Sequence, residues 1–208
     1  MLSKRAAFTT STVRFGGSSR VGRLFVISAS SGTGKTTLAH VLLKEDLNLI
    51  QSVSYTTRSP RGNEVNEKDY HFVTMKEFLE IKRKKGFLEW ADVFGRYYGT
   101  PKKEVAEHQK NGKDVLLLID VQGAKKIKKI RPDAVFIFLA PPSKEELRKR
   151  LEKRGTESKK EINRRLRVAT RELVELNDPA LCDYRIVNRD INKAREVLRA
   201  IINAERNH

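Results

Sequence analysis

The residues with the most evident chemistry form the stretch SASSGTGKTT, at positions 28–37. Gly34, Lys35 and Thr36 match the end of the phosphate-binding pattern G-x-x-x-x-G-K-S/T, whereas Ala29 stands where its first glycine would be. In such a loop, backbone N–H groups bind phosphate oxygens, the lysine reaches the terminal phosphates and the hydroxyl binds Mg²⁺. An alanine fits the first position as long as its φ angle stays negative. The stretch therefore predicts a nucleotide phosphate site without specifying the reaction.

A second group of residues could bind another phosphate farther along the chain. Arg58 and Arg61 lie close together in sequence, and Tyr70 and Tyr98 follow them. Guanidinium groups and phenol hydroxyls hold phosphate oxygens through charge-assisted hydrogen bonds, and arginine does so with a fixed fork geometry. This group predicts a site for a phosphate-bearing acceptor.

The phosphate loop needs a strand before it and a helix after it, and the sequence supplies both. The short apolar run at 23–29 is typical of a strand buried on both faces, and 35–45 has a helical pattern. The runs at 114–123 and 134–142 are further buried strands, and 184–188 is a weaker one. Helical patterns lie between and after them, at about 122–131, 143–153, 158–178 and 190–206. This alternation predicts an α/β fold with a parallel sheet.

Residues 53–103 interrupt this alternation. They are rich in Tyr, Thr, Gly and Arg, and they contain short alternating segments such as YHFV and RYYGT. Alternating apolar and polar residues are typical of strands with one buried face. We therefore predict an inserted subdomain with a small mixed sheet of its own.

The composition predicts a soluble protein with one sizeable core, since 38% of the 208 residues are hydrophobic and 33% are charged. No apolar run approaches the roughly 20 residues of a membrane span. The net charge of +17 is compatible with nucleic-acid binding through phosphates or with a lysine-rich solvated surface. The basic runs at 82–85 and 125–129 lack interleaved aromatic residues and belong to no nucleic-acid-binding motif, which favours the solvated surface.

The segment 1–21 differs from the rest of the chain. It is basic and rich in Ser and Thr, and no acidic residue precedes Glu45. This is the composition of an organellar transit peptide, but also of a short flexible tail on a bacterial protein. We favour the tail and a cytoplasmic location, with an organellar one as the alternative. The single cysteine, Cys182, excludes an internal disulfide and suits a reducing compartment.

Several stretches resemble the guanylate kinase family in order and spacing, over roughly residues 22–206. They are ISASSGTGKTTL, SVSYTTRSPR, EKDYHFV, FLEWADVFGRYYGT, IDVQGA, FLAPPS and RLEKRGTES. Many bacterial members of that family also carry alanine at the position of Ala29. The resemblance implies a parallel-sheet core of the P-loop nucleoside triphosphate hydrolase type, a GMP-binding subdomain and a helical lid. It also implies Mg²⁺-dependent transfer of the ATP γ-phosphoryl group to GMP or dGMP.

The resemblance also implies boundaries within the guanylate kinase-like domain, 22–208. The core would comprise 22–52, 104–142 and 167–208, the GMP-binding subdomain 53–103 and the lid 143–166. The implied substrates are ATP and GMP, with no membrane or nucleic-acid partner. Both a monomer and a homodimer remain open.

Individual roles follow from the same resemblance. The implied ATP-binding residues are Ala29, Ser30, Ser31, Gly32, Thr33, Gly34, Lys35, Thr36, Thr37, Arg150 and Arg154. The implied guanine-reading residues are Ser54, Glu89 and Thr100, and the implied GMP phosphate clamp is Arg58, Arg61, Tyr70 and Tyr98; Asp120 and Arg165 complete the GMP site. The implied catalytic residues are Lys35, Arg58, Arg154 and Arg165. Mg²⁺ would be bound by Thr36 and, through water, by Asp120.

One position departs from the family pattern. The family usually has a second acidic residue two positions before Asp120, where this chain has Leu118. Residues two apart on a strand point to the same side, so one carboxylate fewer faces the nucleotide cleft. Asp120 then acts alone, or water together with Glu64 or Asp69 compensates.

Two rival functions remain open. Guanylate-kinase-like domains also act as protein-interaction scaffolds, which typically lose the phosphate loop. The intact Gly34, Lys35 and Thr36 favour the enzyme. The nearest rival enzyme is a kinase for a different small phosphate acceptor.

Overall fold

The computed structural model describes residues 20–30, 32–153, 158–175 and 178–207. The strands are β1 (Leu24–Ala29), β2 (Leu49–Gln51), β3 (Tyr55–Thr56), β4 (His71–Phe72), β5 (Phe87–Val93), β6 (Arg96–Pro101), β7 (Asp114–Ile119), β8 (Val135–Ala140) and β9 (Tyr184–Val187). The helices are α1 (Lys35–Glu45), α2 (Met75–Arg83), α3 (Lys102–Lys110), α4 (Val121–Ile130), α5 (Lys144–Lys153), α6 (Lys159–Glu175) and α7 (Ile191–Arg206).

The larger sheet has five parallel strands in the order β2-β7-β1-β8-β9. Successive side chains of a strand point to opposite faces, so the apolar run of β1 contributes to two cores. Phe25 and Ile27 pack with α1 and α7, whereas Leu24 and Val26 pack with α3 and α4. Helices therefore cover both faces, which explains the continuous apolar runs and confirms the predicted parallel α/β fold.

The smaller sheet has four strands in the order β4-β3-β6-β5. Strand β3 is parallel to β4 and antiparallel to β6, which makes this sheet mixed, as predicted. Phe78 of α2 is fully buried and packs on Phe87, with 4.6 Å between the ring centroids. Helix α2 begins with a capping box between Thr74 and Glu77, which explains why it starts there.

Helices α5 and α6 pack on each other through a small apolar cluster of their own. Its members are spaced three or four residues apart on each helix, as helix faces require, and are Leu147, Leu151, Ile162, Leu166 and Ala169. Within the described ranges, no helix has the length and apolar character that a membrane crossing needs.

Because the strands of the larger sheet are parallel, their carboxyl ends lie at one edge. Ala29 ends β1, Asp120 follows β7 and Asn188 follows β9. This edge is where open α/β sheets bind ligands, and the order of strand, loop and helix places the phosphate loop there.

Candidate active site

The phosphate loop connects β1 to α1. Gly32 and Gly34 both have a φ angle of 92°, in the left-handed region that favours glycine. The Thr33 hydroxyl donates a 2.8 Å hydrogen bond to the carbonyl oxygen of Ser30, which closes the turn. Ser31 lies outside the described residues. The local geometry thus explains both glycines of the motif.

Lys35 is the first residue of α1, and its ammonium group is tied to the sheet. Its Nζ donates a 2.7 Å hydrogen bond to the carbonyl oxygen of Ile119, the last residue of β7. Burial lowers the pKa of Lys35 to about 8, although the nearby Asp120 and Glu172 act in the opposite direction. The side chain is half-buried, and a cation that is partly shielded from water interacts more strongly with phosphate oxygens than a fully exposed one.

Arg58 is the centre of a side-chain cluster on the acceptor side. It is 8% exposed, and its two Nη atoms donate to the Glu64 carboxylate at 2.7 and 3.0 Å. Its Nε donates to the Tyr98 hydroxyl at 3.2 Å, and its guanidinium carbon lies 5.2 Å from the Tyr70 ring centroid. Burial opposes the charge of Arg58, but the hydrogen bonds to Glu64 and Tyr98 outweigh it and raise its pKa. The clamp arginine is therefore charged and held in place.

Glu64 also fixes the neighbouring arginine of the cluster. Its carboxylate accepts a 2.7 Å hydrogen bond from the backbone N–H of Arg61. Burial acts to raise the pKa of Glu64, but the hydrogen bonds from Arg58 and Arg61 outweigh it and lower that pKa. One carboxylate thus organises both predicted clamp arginines.

Glu89 lies on β5 and is 6% exposed. The Thr100 hydroxyl donates a 2.7 Å hydrogen bond to one carboxylate oxygen of Glu89. Burial raises the pKa of Glu89 to about 7, although this hydrogen bond acts in the opposite direction. A Cβ atom on Gly123 would lie only 2.9 Å from the other oxygen, so this carboxylate needs a glycine beside it.

One cavity of about 450 Å³ is bordered by both the phosphate loop and the acceptor-side cluster. The predicted site residues that line it are Ala29, Ser30, Gly32, Thr33, Gly34, Lys35, Thr36, Thr37, Ser54, Arg58, Arg61, Tyr70, Glu89, Tyr98, Asp120 and Arg165. A donor phosphate site and a candidate acceptor site therefore share one space.

Comparisons with known proteins agree with this geometry. The sequence profile of the guanylate kinase family matches residues 21–205. The chain belongs to the guanylate kinase family. It is 47% identical over 185 residues to the guanylate kinase of Caldanaerobacter subterraneus subsp. tengcongensis, which covers 89% of this chain and 88% of that protein. It is 48% identical over 185 residues to that of Neisseria meningitidis serogroup A, with 89% of each chain covered.

A solved structure gives the same result for the fold. The crystal structure of guanylate kinase from Anaplasma phagocytophilum matches with a TM-score of 0.74 and 37% identity, over 89% of this chain and 87% of that chain. The guanylate kinase family joins ATP and GMP as substrates, and this chain is an ATP:GMP phosphotransferase.

Two described residues predicted from the guanylate kinase resemblance, Thr100 and Arg150, do not line the cavity. Thr100 is fully buried behind Glu89, and its only hydroxyl proton is donated to that carboxylate. Arg150 of α5 instead donates to the carbonyl oxygens of Thr33, at 3.5 Å, and Asn188, at 3.1 Å. Arg154 lies outside the described residues.

Two further residues of the predicted guanylate kinase site, Asp120 and Arg165, line the cavity and also contact other parts of the protein. The Asp120 carboxylate accepts a 2.8 Å hydrogen bond from the backbone N–H of Gly123 and caps α4. Arg165 has its Nε 3.6 Å from a carboxylate oxygen of Glu161.

Glu172 is a carboxylate of the guanylate kinase site, close to Leu118 and Asp120, that the sequence analysis missed. It lines the cavity together with Leu118 and Asp120, whereas Glu64 is paired with Arg58. Burial raises the pKa of Glu172 to about 7, and Asp120 adds to the rise. A signal was present in the sequence: cavity-lining residues recur along one face of α6, at 161, 165, 168 and 172.

Asp69 does not take the place of the missing acid either. Its carboxylate accepts a 2.8 Å hydrogen bond from the backbone N–H of Val65, within its own loop. Of the two carboxylates that the sequence left open beside Asp120, Glu64 lines the same cavity but is paired with Arg58, and Asp69 is bonded within its own loop.

Proposed function

We propose that the ATP γ-phosphoryl group is transferred directly and in line to a GMP phosphate oxygen within this cavity. The observation that carries the proposal is the shared lining, in which the phosphate loop borders the same space as Arg58, Tyr98 and Glu89. A shared space allows the donor and acceptor phosphates to meet without an enzyme-bound intermediate. Its products are ADP and GDP, or dGDP when dGMP is the acceptor.

The acceptor needs no strong general base, because a GMP phosphate oxygen is already an anionic nucleophile. Catalysis then depends mainly on positioning and on stabilising the charge of the transferred group. Lys35 on the donor side is half-buried and Arg58 on the acceptor side is buried, and both cations face this space. Arg165 adds a third cation from α6, and we assign Arg154 to the same role.

Mg²⁺ fits the oxygen donors near Lys35. The Thr36 hydroxyl, Asp120 and Glu172 all border the cavity, and hard oxygen ligands are those that Mg²⁺ prefers. Among the described residues, no group of three or more His, Cys, Asp or Glu side chains could hold a metal ion by itself. This donor set therefore suits an ion that arrives with the ATP phosphates. When bound, Mg²⁺ would neutralise phosphate charge.

Glu89 and Ser54 are the proposed guanine readers. Guanine presents two donors, N1–H and the 2-amino group, beside the acceptor O6. The Glu89 carboxylate can accept from both donors, and the Ser54 hydroxyl can donate to O6. Thr100 supports this reading indirectly, because its hydrogen bond fixes the Glu89 carboxylate. Adenine has the opposite pattern and would leave buried polar groups unpaired.

We propose that the subdomain, 53–103, and the lid, 143–166, each close over their own nucleotide. Each segment contributes an arginine to the cavity, Arg58 and Arg165, and phosphate bound between them would draw the segments together. Closure would keep water from the γ-phosphoryl group. Spectroscopic distances between labels on the core and on each segment should shorten with GMP and an ATP analogue. Equal distances with and without ligands would contradict the proposed boundaries and the closure.

The remaining assignments concern the cell rather than the reaction. We propose a cytoplasmic enzyme without nucleic-acid partners, since the basic side chains of the runs 82–85 and 125–129 are exposed or half-exposed and the runs belong to no nucleic-acid-binding motif. A gel-shift assay at physiological salt should show no complex with DNA or RNA. A salt-resistant complex would contradict this assignment.

The substrate proposal is tested with a coupled assay of ADP release against a panel of nucleoside monophosphates. We expect efficient turnover with GMP and dGMP, because only guanine pairs fully with Glu89 and Ser54. AMP, CMP and UMP should be poorer acceptors by up to about 10⁴-fold, as in sites that leave polar groups unpaired. A reaction without acceptor measures ATP hydrolysis and serves as the control. Comparable efficiency with AMP would overturn the proposed base reading.

A further inference from the structure

Asn188, directly after β9, contacts the phosphate loop from behind. It is 4% exposed, and its side-chain Nδ2 donates a 2.7 Å hydrogen bond to the carbonyl oxygen of Thr33. A carbonyl oxygen can only accept, so the amide nitrogen of Asn188 must face it. Asn188 is not among the residues that line the cavity, and its side chain contacts the phosphate loop instead.

The larger sheet holds Asn188 in place. Its backbone N–H donates a 2.9 Å hydrogen bond to the carbonyl oxygen of Ala140, the last residue of β8. Strand β9 pairs in parallel with β8 immediately before this point. The side-chain amide therefore starts from a fixed backbone, which makes it a rigid support for the loop.

The hydrogen bond fixes the orientation of one peptide unit of the loop. The Thr33 carbonyl and the Gly34 N–H belong to the same planar group, and none of the described peptide bonds is cis. In a trans peptide the C=O and the N–H point in opposite directions. When the Thr33 carbonyl faces Asn188, the Gly34 N–H must face away from it, toward the cavity.

Gly34 is the reason why the loop needs the hydrogen bond from Asn188, and it also leaves the space for the Asn188 side chain. Gly34 has a φ angle of 92° and no side chain, so its preceding peptide can rotate more easily than that of other residues. A Cβ atom on Gly34 would lie 2.8 Å from Nδ2 of Asn188, so the amide fits only beside a glycine. The loop gains a close backbone approach to phosphate and needs an external group to keep the peptide in one orientation.

We propose that Asn188 is a positioning residue for the phosphoryl donor, whose side-chain amide orients the Thr33–Gly34 peptide so that the Gly34 N–H faces the ATP phosphates. This inference rests on the proposed donor site and deepens it. Oriented backbone N–H groups bind phosphate without reorganisation, which is why a flipped peptide would weaken the site.

Arg150 connects the same peptide to the proposed lid. Its guanidinium group donates to the backbone carbonyl of Asn188 at 3.1 Å and to the Thr33 carbonyl at 3.5 Å. Its Nε also donates to Glu146 at 3.2 Å, within α5. The Thr33 carbonyl is therefore the point where the end of β9, the phosphate loop and α5 meet.

The test is an NMR titration of the full chain with ADP, combined with calorimetric ADP binding and steady-state kinetics. In the wild type, ADP should shift the Gly34 amide proton downfield, as hydrogen bonding to phosphate requires. Asn188→Ala should lose most of this shift, and both the ADP dissociation constant and the KM for ATP should rise about tenfold. The KM for GMP should stay unchanged.

Two variants separate positioning from packing. Asn188→Asp keeps the shape of the side chain but removes the donor as a carboxylate, so it should resemble Asn188→Ala. Asn192→Asp makes the same chemical change at an exposed position on α7 and should leave ADP binding unchanged.

Three outcomes would contradict the role of Asn188 or the donor site on which it rests. Wild-type ADP affinity and Gly34 shift in both Asn188 variants would overturn the proposal. Equal weakening of ATP and GMP would indicate a merely structural role and would also overturn it. A wild-type Gly34 amide that does not respond to ADP would instead contradict the donor site itself.

Discussion

The proposed donor and acceptor sides of the cavity would bind phosphate by different means. On the donor side, the loop offers backbone groups at Gly32 and Gly34, supported from behind by the sheet. On the acceptor side, long side chains offer the phosphate-binding groups, and Arg58 is held by hydrogen bonds to Glu64 and Tyr98. The first arrangement depends on backbone conformation, whereas the second depends on which side chains are present.

This difference explains how each side tolerates change. Ala29 replaces a glycine of the general motif, and it fits because it is simply the last residue of β1. A similar exchange on the acceptor side would remove a functional group, because each side chain there has its own partner. Substitutions on the two sides should therefore separate effects on ATP from effects on GMP.

The largest expected effect lies on the donor side. Lys35→Ala removes a half-buried cation that becomes most useful as charge develops on the transferred group. We expect turnover to fall by at least about 10²-fold, as when one preorganised electrostatic partner is lost. Steady-state kinetics check this, with thermal denaturation to show that the fold is intact. Lys44→Ala, in the exposed last turn of α1, is the control, and near-normal turnover of Lys35→Ala would break the comparison.

A smaller effect is expected from the guanine reader. In Glu89→Gln, the Thr100 hydroxyl should select the amide oxygen, which turns the NH₂ group toward the guanine donors. We expect kcat/KM for GMP to fall about 10- to 100-fold, the range for a lost charged hydrogen bond. IMP lacks the 2-amino group, so its efficiency should fall less and the gap between GMP and IMP should narrow. Glu107→Gln, which makes the same chemical change at an exposed position on α3, is the control and should leave kcat/KM for GMP unchanged.

An unchanged ratio of GMP to IMP efficiency in Glu89→Gln would remove Glu89 from base reading. An increase in the KM for ATP of similar size would show that the two sides are not separable. Either result would change which residues we assign to the ATP side and which to the GMP side of the cavity.

The pH dependence of GMP use should follow the carboxyl of Glu89. Its pKa is raised to about 7, so the acceptor form, the carboxylate, is the minor one at pH 6 and the major one at pH 8. We therefore expect kcat/KM for GMP to rise about tenfold over this range beyond the effect of the GMP phosphate, whose second pKa is near 6. Glu89→Gln shares the phosphate ionisation and is the control. Parallel profiles of wild type and variant would contradict the assignment.

The smallest effect is expected from a substitution of Glu64, the carboxylate that holds the two arginines of the proposed GMP phosphate clamp. Glu64→Gln removes the charge that holds Arg58 and the acceptor that orients the Arg61 backbone, but it leaves both arginines in place. We expect the KM for GMP to rise about threefold, in line with a partly exposed ion pair, while the KM for ATP stays constant. A lower KM for GMP would show instead that Glu64 competes with the GMP phosphate for Arg58.

The sequence predicts those parts of this molecule that depend on local order. Three buried strands follow from apolar runs, and the phosphate loop follows from seven residues in register with a strand and a helix. Strands β2 and β3 have only three and two residues, too few for a periodic signal, and they form by pairing with β7 and β6. The predicted helix 158–178 corresponds to α6, Lys159–Glu175.

Contacts between distant parts of the chain account for what was missed. Asn188 and Thr33 are separated by 155 positions, and nothing in either local stretch indicates that they meet. The hydrogen bond between Thr100 and Glu89 was likewise invisible, because both residues match the family pattern as guanine readers. Glu172 could be found only by following the helical spacing along α6 from Arg165, which is seven positions earlier on the same face.

The closeness of Gly123 to Glu89 limits how this chain can diverge. A side chain at position 123 would meet the Glu89 carboxylate at 2.9 Å, and the hydrogen bond from Thr100 restrains that carboxylate from moving aside. A side chain at position 123 therefore requires the Glu89 carboxylate to shift or position 89 to change with it. Positions 123 and 89 lie on different elements, α4 and β5, but they should vary together.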